Sequence, residues 1–292
     1  MSSVWFSITN SSWRKDFRAD SLHERTKRFC GCRTCLVFGC VLICVVAVCK
    51  IRGFGACMIA GFPHQYEDSC FHLAMERLRK ETRQNIISSI FTLGGFPVTR
   101  ALKHLPSKCL AAEPDIVVLQ FATSDLIVPV KEKHRHIPHS SGERILSSAE
   151  RKTCPRRTRA VDQLRWRIDG LIGDLLRLTP LTPPEIYLET MGRMARTISE
   201  HQAVPVVLSP FVFGGHRSDR IARDCARRLQ RLLATIPKAH YVDAYSALNQ
   251  HTRSQMLLRD GCHLTLKGQA VVGECLFASL AKIIQDKNQM PS

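Results

Sequence analysis

Acidic side chains are scarce in this chain relative to basic ones: 25 Asp and Glu stand against 42 Lys and Arg, a formal net charge of +17. An excess of that size favours contact with anionic surfaces. No RNP signature, zinc finger or basic zipper accompanies it, so no specific nucleic-acid reader is expected. The excess is Arg-rich and spread over helices and one loop. A framework of paired cysteines is missing too. The cysteines number 13, an odd count, and Cys30, Cys32, Cys35, Cys40, Cys44 and Cys49 crowd into one short stretch. Cys30, Cys32 and Cys35 have no second ligand cluster at finger spacing, which argues against structural zinc. Most others lie in apolar patterns, where free Cys acts as a small hydrophobe.

A run of spanning length is also lacking. Residues 35–49 carry no charge, but a transmembrane helix needs about 20 apolar residues and this stretch is shorter. No small-x-small cleavage site follows it, and Val48 before Cys49 is too bulky for a lipoprotein site. Residues 1–34 are polar and basic and read as disordered. A basic flank before an apolar run has the layout of a signal anchor, so membrane contact through 35–49 is expected on that reading. Two alternatives stand beside it, a buried N-terminal element and an extension outside the working protein. Without the anchor the chain is expected in the cytoplasm.

What is present is an alternation of strands and helices with no internal repeat. The spacing predicts a first strand near 50–55. An amphipathic helix over 67–82 follows, its apolar face made by Phe71, Leu73, Ala74 and Leu78. A strand over 85–93 leads into the turn Gly94-Gly95-Phe96-Pro97, where Pro97 suits a helix start. Ile116 to Phe121 reads as a buried strand. Residues 131–159 hold a dense basic composition and the run His134-Arg135-His136-Ile137-Pro138-His139. They read as an exposed insertion loop, and the absence of a neighbouring Cys or carboxylate at ligand spacing argues against a metal site there. Helices over 161–178 and 184–201, a strand over 204–209, a helix from Asp219 capped by Ser218, a strand over 240–244 and a last helix over 264–285 complete the pattern. Such alternation predicts a parallel sheet covered on both faces.

In an open parallel sheet, ligands bind beyond the carboxyl ends of the strands. Four segments arrive at that edge: the turn at Cys57, the turn at Gly94-Gly95, the loop Ala122-Thr123-Ser124-Asp125, and the loop carrying Asp260 and His263. A nucleophile after the first strand and an Asp-x-x-His before the last helix suggest a hydrolytic site built from distant segments.

These residues carry a resemblance. Over roughly residues 50–286 the chain resembles the SGNH hydrolases of the GDSL esterase/lipase superfamily. The family run Gly-Asp-Ser-x-x-x-Gly corresponds to Gly55-Ala56-Cys57-Met58-Ile59-Ala60-Gly61, its second-block glycine to Gly95, Gly-x-Asn-Asp to Ala122-Thr123-Ser124-Asp125, and Asp-x-x-His to Asp260-Gly261-Cys262-His263. Ser is thus replaced by Cys57, Asn by Ser124 and the Asp before the nucleophile by Ala56. A second Asp-x-x-His, Asp20-Ser21-Leu22-His23, has no suitable context.

The resemblance implies a three-layer α/β/α domain with a parallel, flavodoxin-like sheet. The basic loop 131–159 is an insertion in that domain, and 287–292 a tail. It further implies an esterase in which Cys57 is nucleophile, His263 general base and Asp260 its orienting carboxylate, through an acyl-enzyme. The oxyanion would meet the N–H groups of Cys57 and Gly95 and the Ser124 hydroxyl. Neither metal nor organic cofactor is required. The expected partner is a small acyl ester or an acylated carbohydrate or lipid. Acyl transfer and a catalytically inactive, membrane-tethered binding protein are the alternatives that the three replacements leave open. Asp125 is expected to hold loops by local hydrogen bonds. Phe62, Pro63, Phe96 and Phe211 are expected to shape the pocket wall or the core.

Overall fold

A computed structural model describes residues 35–38, 41–44, 48–82, 84–128, 168, 172, 175–176, 178–213, 215–258 and 261–289. The basic segment 1–34, the decoy Asp20–His23, the insertion loop 131–159 with its His cluster, and Asp260 lie outside them.

The apolar segment near the N-terminus forms strands where an anchor would be helical. β1 (Cys35–Phe38) and β2 (Val41–Cys44) pair antiparallel, with Phe38 opposite Val41. Val, Ile and Phe favour the extended backbone over the helix. Among the described residues no helix is long and apolar enough to cross a membrane, so the anchor expected from the layout finds no support. These strands fall in the first of two units of the chain, and the second begins at Val48.

The larger unit is built on five parallel strands: β3 (Val48–Gly55), β4 (Asn85–Thr92), β5 (Ile116–Gln120), β6 (Val204–Leu208) and β7 (His240–Val242). Their order is β4-β3-β5-β6-β7. This is the doubly wound order in which the chain direction of growth reverses beside the first strand, opening a crevice between β3 and β5. Every residue of β5 and β6 is buried, as a strand covered on both faces requires. Pro205 sits in β6, where a missing N–H would normally break a ladder. β7 pairs only with Val206, Val207 and Leu208, so Pro205 precedes the paired stretch on that side.

Two layers of helices flank the sheet. α1 (Cys70–Thr82), α6 (Ala244–Asn249) and α8 (Leu266–Gln289) pack together. α2 (Val98–His104), α4 (Pro184–Glu200) and α5 (His216–Leu233) form the other group. Two short helices, α3 (Thr123–Leu126) and α7 (Arg253–Met256), lie at loop positions.

Several local readings shift. α1 begins at Cys70, after a 3-10 turn over Tyr66–Asp68, and buries Phe71, Ala74, Met75 and Leu78 while Leu73 remains exposed. α5 starts at His216, so Ser218 lies within its first turn and not at its cap. Its hydroxyl instead accepts the buried N–H of Val128 at 2.9 Å; a tertiary donor that burial would leave unpaired outweighs a local cap. The last helix runs to Gln289, past the expected end near Gln285. α6 was hidden in the sequence by the neighbouring strand; Asp243 caps it, accepting the Ser246 N–H at 3.0 Å.

Candidate active site

β3 delivers Cys57. The strand ends at Gly55, which lies in register with both Thr92 and Gln120. A Cβ at Gly55 would stand 2.4 Å from the backbone oxygen of Gln120, so only glycine allows this approach. Ala56 then donates its N–H to that same oxygen at 2.9 Å. Cys57 opens a 3-10 turn through Ala60. As the first residue of a helical turn its N–H has no intrahelical partner. Behind the turn, Gln269 of α8 is fully buried. Its side chain accepts the Cys70 N–H at 3.0 Å and points its amide to the Met58 oxygen at 3.5 Å. The Cys57 turn, α1 and α8 are thereby locked to one another.

β4 leads to Gly95. Leu93 N–H bonds Gly55 O at 3.1 Å, and Phe96 N–H bonds Leu93 O at 3.0 Å, which closes the turn carrying Gly95. Gly95 is therefore held at the end of the strand neighbouring β3. The guanidinium of Arg100 stacks on Phe96, 3.9 Å from its ring centre.

The segment before α8 delivers His263. Leu257 and Leu264 form an isolated antiparallel bridge. Between them Leu258 N–H bonds His263 O at 2.8 Å and Gly261 N–H bonds Leu258 O at 3.0 Å. Gly261 has φ of 72°, a left-handed conformation that glycine adopts without strain. The outcome is a juxtaposition of residues 206 positions apart: the Cys57 sulfur is 3.6 Å from Nε2 of His263. Both side chains are half-buried, which leaves the pair open to a ligand. Phe62 packs edge-on against the imidazole at a ring-centre distance of 5.0 Å. Phe211 belongs to the core, at 1 % exposure.

Asp125 has a different setting. It is wholly buried. Its Oδ1 accepts the Val98 N–H at 2.9 Å and the Thr182 hydroxyl at 2.8 Å, and its backbone oxygen accepts the Thr182 N–H at 2.8 Å. It ties the loop after β5 to the starts of α2 and α4, the loop-holding part expected of it. Burial pushes its carboxyl up from 3.8 to about 6, with the two hydrogen bonds acting in the opposite direction. Ser124 lies in α3, with its side chain outside the described residues.

The sequence reading missed three contacts. Cys262 places its sulfur 3.3 Å from Nδ1 of His263. His64 Nε2 meets the backbone oxygen of Leu264 at 3.0 Å, linking the loop after Cys57 to the His263 segment. Gln269 was visible as a polar residue on the stripe formed with Val272, Leu276 and Leu280, all buried. No spacing rule would have paired His64 with residue 264.

No protein-family model matches the sequence, and no curated protein sequence does. Solved structures do. A lipase/acylhydrolase from Enterococcus faecalis superposes with a TM-score of 0.56 at 15 % identity, over 80 % of this chain and 96 % of that one. A catalytic mutant of Axe2, an acetylxylan esterase from Geobacillus stearothermophilus, gives 0.54 at 10 % identity, over 81 % and 96 %. The esterase EstA from Pseudoalteromonas sp. gives 0.50 at 12 % identity, over 81 % and 98 %. The chain has the SGNH-hydrolase fold. At such identities the likeness speaks for the backbone alone. Within this fold the crevice beyond β3 and β5 is where Cys57 and His263 meet.

Proposed function

We propose that this protein hydrolyses carboxylic esters through Cys57, His263 and Asp260. The observation carrying the proposal is the 3.6 Å approach of the Cys57 sulfur to His263 Nε2 at the ligand-binding edge of an SGNH-type sheet. The esterases and lipase of like fold support the reaction class.

In this mechanism His263 takes the thiol proton as Cys57 attacks the acyl carbonyl, a division of labour between nucleophile and base. The tetrahedral oxyanion is met by the N–H groups of Cys57 and Gly95 and by the Ser124 hydroxyl. His263 then passes its proton to the departing alkoxide, leaving an acyl thioester on Cys57. A water deprotonated by His263 attacks that thioester and releases the acid. Asp260, carried over from the Asp-x-x-His pattern, orients the ring and stabilises its charged form. An ester of modest size suits an open pair of this kind, and an acylated sugar is one source of it.

The test is turnover of a p-nitrophenyl acetate-to-octanoate series by the purified chain. Hydrolysis by the parent and its loss in Cys57→Ala are expected. Hydrolysis that survives Cys57→Ala removes the nucleophile from the reading. A parent without turnover, but with saturable ester binding, assigns the fold to recognition without catalysis.

A further inference from the structure

The carbonyl of Leu264, the residue after His263, is left over by the elements on either side of it. The bridge between Leu257 and Leu264 is closed by Leu258 N–H on His263 O at 2.8 Å and by Thr265 N–H on Met256 O at 2.9 Å. At the start of α8, Gly268 N–H turns to Thr265 Oγ1 at 3.1 Å and Gln269 N–H to Thr265 O at 2.9 Å. Leu264 O takes part in neither, and its residue is wholly buried, where a carbonyl without a donor is costly. Among the described residues the donor it finds is His64, whose Nε2 lies 3.0 Å away. A carbonyl only accepts, so this nitrogen carries the ring proton. Nδ1 of His64 is buried with no hydrogen-bond partner among the described residues, so a second proton there would be an unanswered donor.

His64 is itself tied to Cys57. Phe62 N–H bonds Cys57 O at 3.2 Å, and His64 N–H bonds Gly61 O at 2.8 Å. Gly61 has φ of 86°, and a Cβ there would stand 2.7 Å from Gln65 O, so the turn keeps this shape only with glycine. Main-chain bonds therefore lead from Cys57 to His64, and one side-chain bond leads on to the residue beside His263. We infer that His64 is a positioning residue: its bond to Leu264 O holds the main chain of the His263 segment at the spacing where ring and sulfur meet at 3.6 Å. The inference rests on the reading of Cys57 and His263 as the reacting pair. It concerns the main chain alone; in the mechanism proposed above the ring's orientation belongs to Asp260. Nothing in the family pattern specifies an imidazole in the loop after Cys57. Gln269 also joins α8 to the Cys57 turn, so loss of His64 loosens the pair without parting it, and the effect is that of one hydrogen bond.

The test compares the full chain with His64→Leu, which fills the space without a donor, and His64→Gln, whose amide N–H has a similar reach. Iodoacetamide attacks through the thiolate, which an imidazole within reach supports. Alkylation of Cys57 at pH 7, followed by peptide mass mapping, is expected to slow about 3- to 10-fold in His64→Leu, the worth of one hydrogen bond. In His64→Gln it is expected to stay within about twofold of the parent's rate on the same grounds. Turnover of p-nitrophenyl acetate is expected to follow the same order in kcat, with KM unchanged. In the parent labelled with 15N-histidine, two-bond proton–nitrogen NMR is expected to show His64 as the Nε2–H tautomer, a measurement that needs no variant to fold. A merely structural His64 would lower the urea midpoint in His64→Leu and leave the alkylation rate and kcat of the folded protein as they are. That result, equal slowing in the Leu and Gln variants, or an Nδ1–H tautomer in the parent overturns the inference. The two readings fail separately. A parent without turnover that still gives the expected alkylation order defeats the hydrolase reading and leaves the part of His64 intact. A parent that turns over while His64→Leu matches it in both rates does the reverse.

Discussion

Two polar centres sit at the same edge of the sheet, and both come from motif blocks of one family pattern. Around Asp125, the carboxylate is sealed and holds Val98 and Thr182. Around His263, a thiol and an imidazole face each other half-buried. The first centre is bound up in fastening three segments; the second has a ring nitrogen whose described partner is a half-buried thiol. Membership of a motif thus does not set a residue's part. Burial and internal partners do, because a group sealed from solvent and bonded into the fold is out of a ligand's reach.

The widest gap between the centres should appear in turnover. His263→Ala is expected to lower kcat/KM for p-nitrophenyl acetate about 1000-fold, the usual worth of a general base. Asp125→Asn keeps the acceptor oxygen and is expected to stay within about tenfold, since its effect reaches the site only through packing. Comparable losses in both variants would erase the distinction between a reacting centre and a fastening one.

A second effect sharpens the reactive side. Ser124 stands where the family pattern has an Asn amide, and a well-placed oxyanion donor contributes on the order of 100-fold or more. Ser124→Asn is therefore expected to raise kcat about 10- to 100-fold with little change in KM. A rise confined to KM would mean that position 124 meets the ground-state ester and not the developing charge.

Much of the fold and part of the site were legible beforehand. β5 announced itself because Ile116, Val117, Val118 and Leu119 are apolar on both faces, and α4 because its apolar spacing is regular. The Cys57 and His263 segments were legible through motif order, and the fold sets their side chains 3.6 Å apart. Illegible parts have a common cause. Ser218 follows a local capping rule in sequence but serves Val128, 90 residues away. Leu73 stays exposed while Met75 is fully buried, a choice that tertiary packing makes. Cys262 reads as a small hydrophobe until the turn at Gly261 brings it against the ring. Each depends on a long-range partner that periodicity does not encode.

The seat of Cys57 can be loosened without changing its side chain. Gly55→Ala would drive a Cβ to 2.4 Å from a backbone oxygen of β5 and 3.1 Å from Ile59. Overpacking against backbone costs about 1–3 kcal/mol, and the first strand must shift to relieve it. Urea unfolding is expected to show that loss with an unchanged slope, accompanied by reduced turnover as Cys57 moves with the strand. A stability loss without any change in turnover would show that the 3-10 turn is held by Gln269 and α8 independently of β3.

The smallest expected effect belongs to the sealed centre and reads its electrostatics directly. Burial raises the Asp125 carboxyl from 3.8 to about 6, so the folded chain holds this proton more tightly than the unfolded one does. Between those two values the native state carries the extra proton, and the slope of unfolding free energy with pH is negative for this group. Its favourable contribution is fully present below about pH 4 and is lost as pH rises through about 6. Above that, a charged oxygen, Oδ2, stays buried without a hydrogen-bond partner among the described residues. Asp125→Asn removes the titration while keeping an acceptor for Val98 and Thr182. The difference in unfolding free energy between parent and variant is therefore expected to move by on the order of 2 kcal/mol from pH 4.5 to pH 7.5, toward the variant. Carboxylates elsewhere titrate equally in both proteins and cancel. A difference that stays flat with pH would mean that the carboxylate reaches water or a cation in solution, and the contrast between a closed centre and an open one would then rest on hydrogen bonding alone.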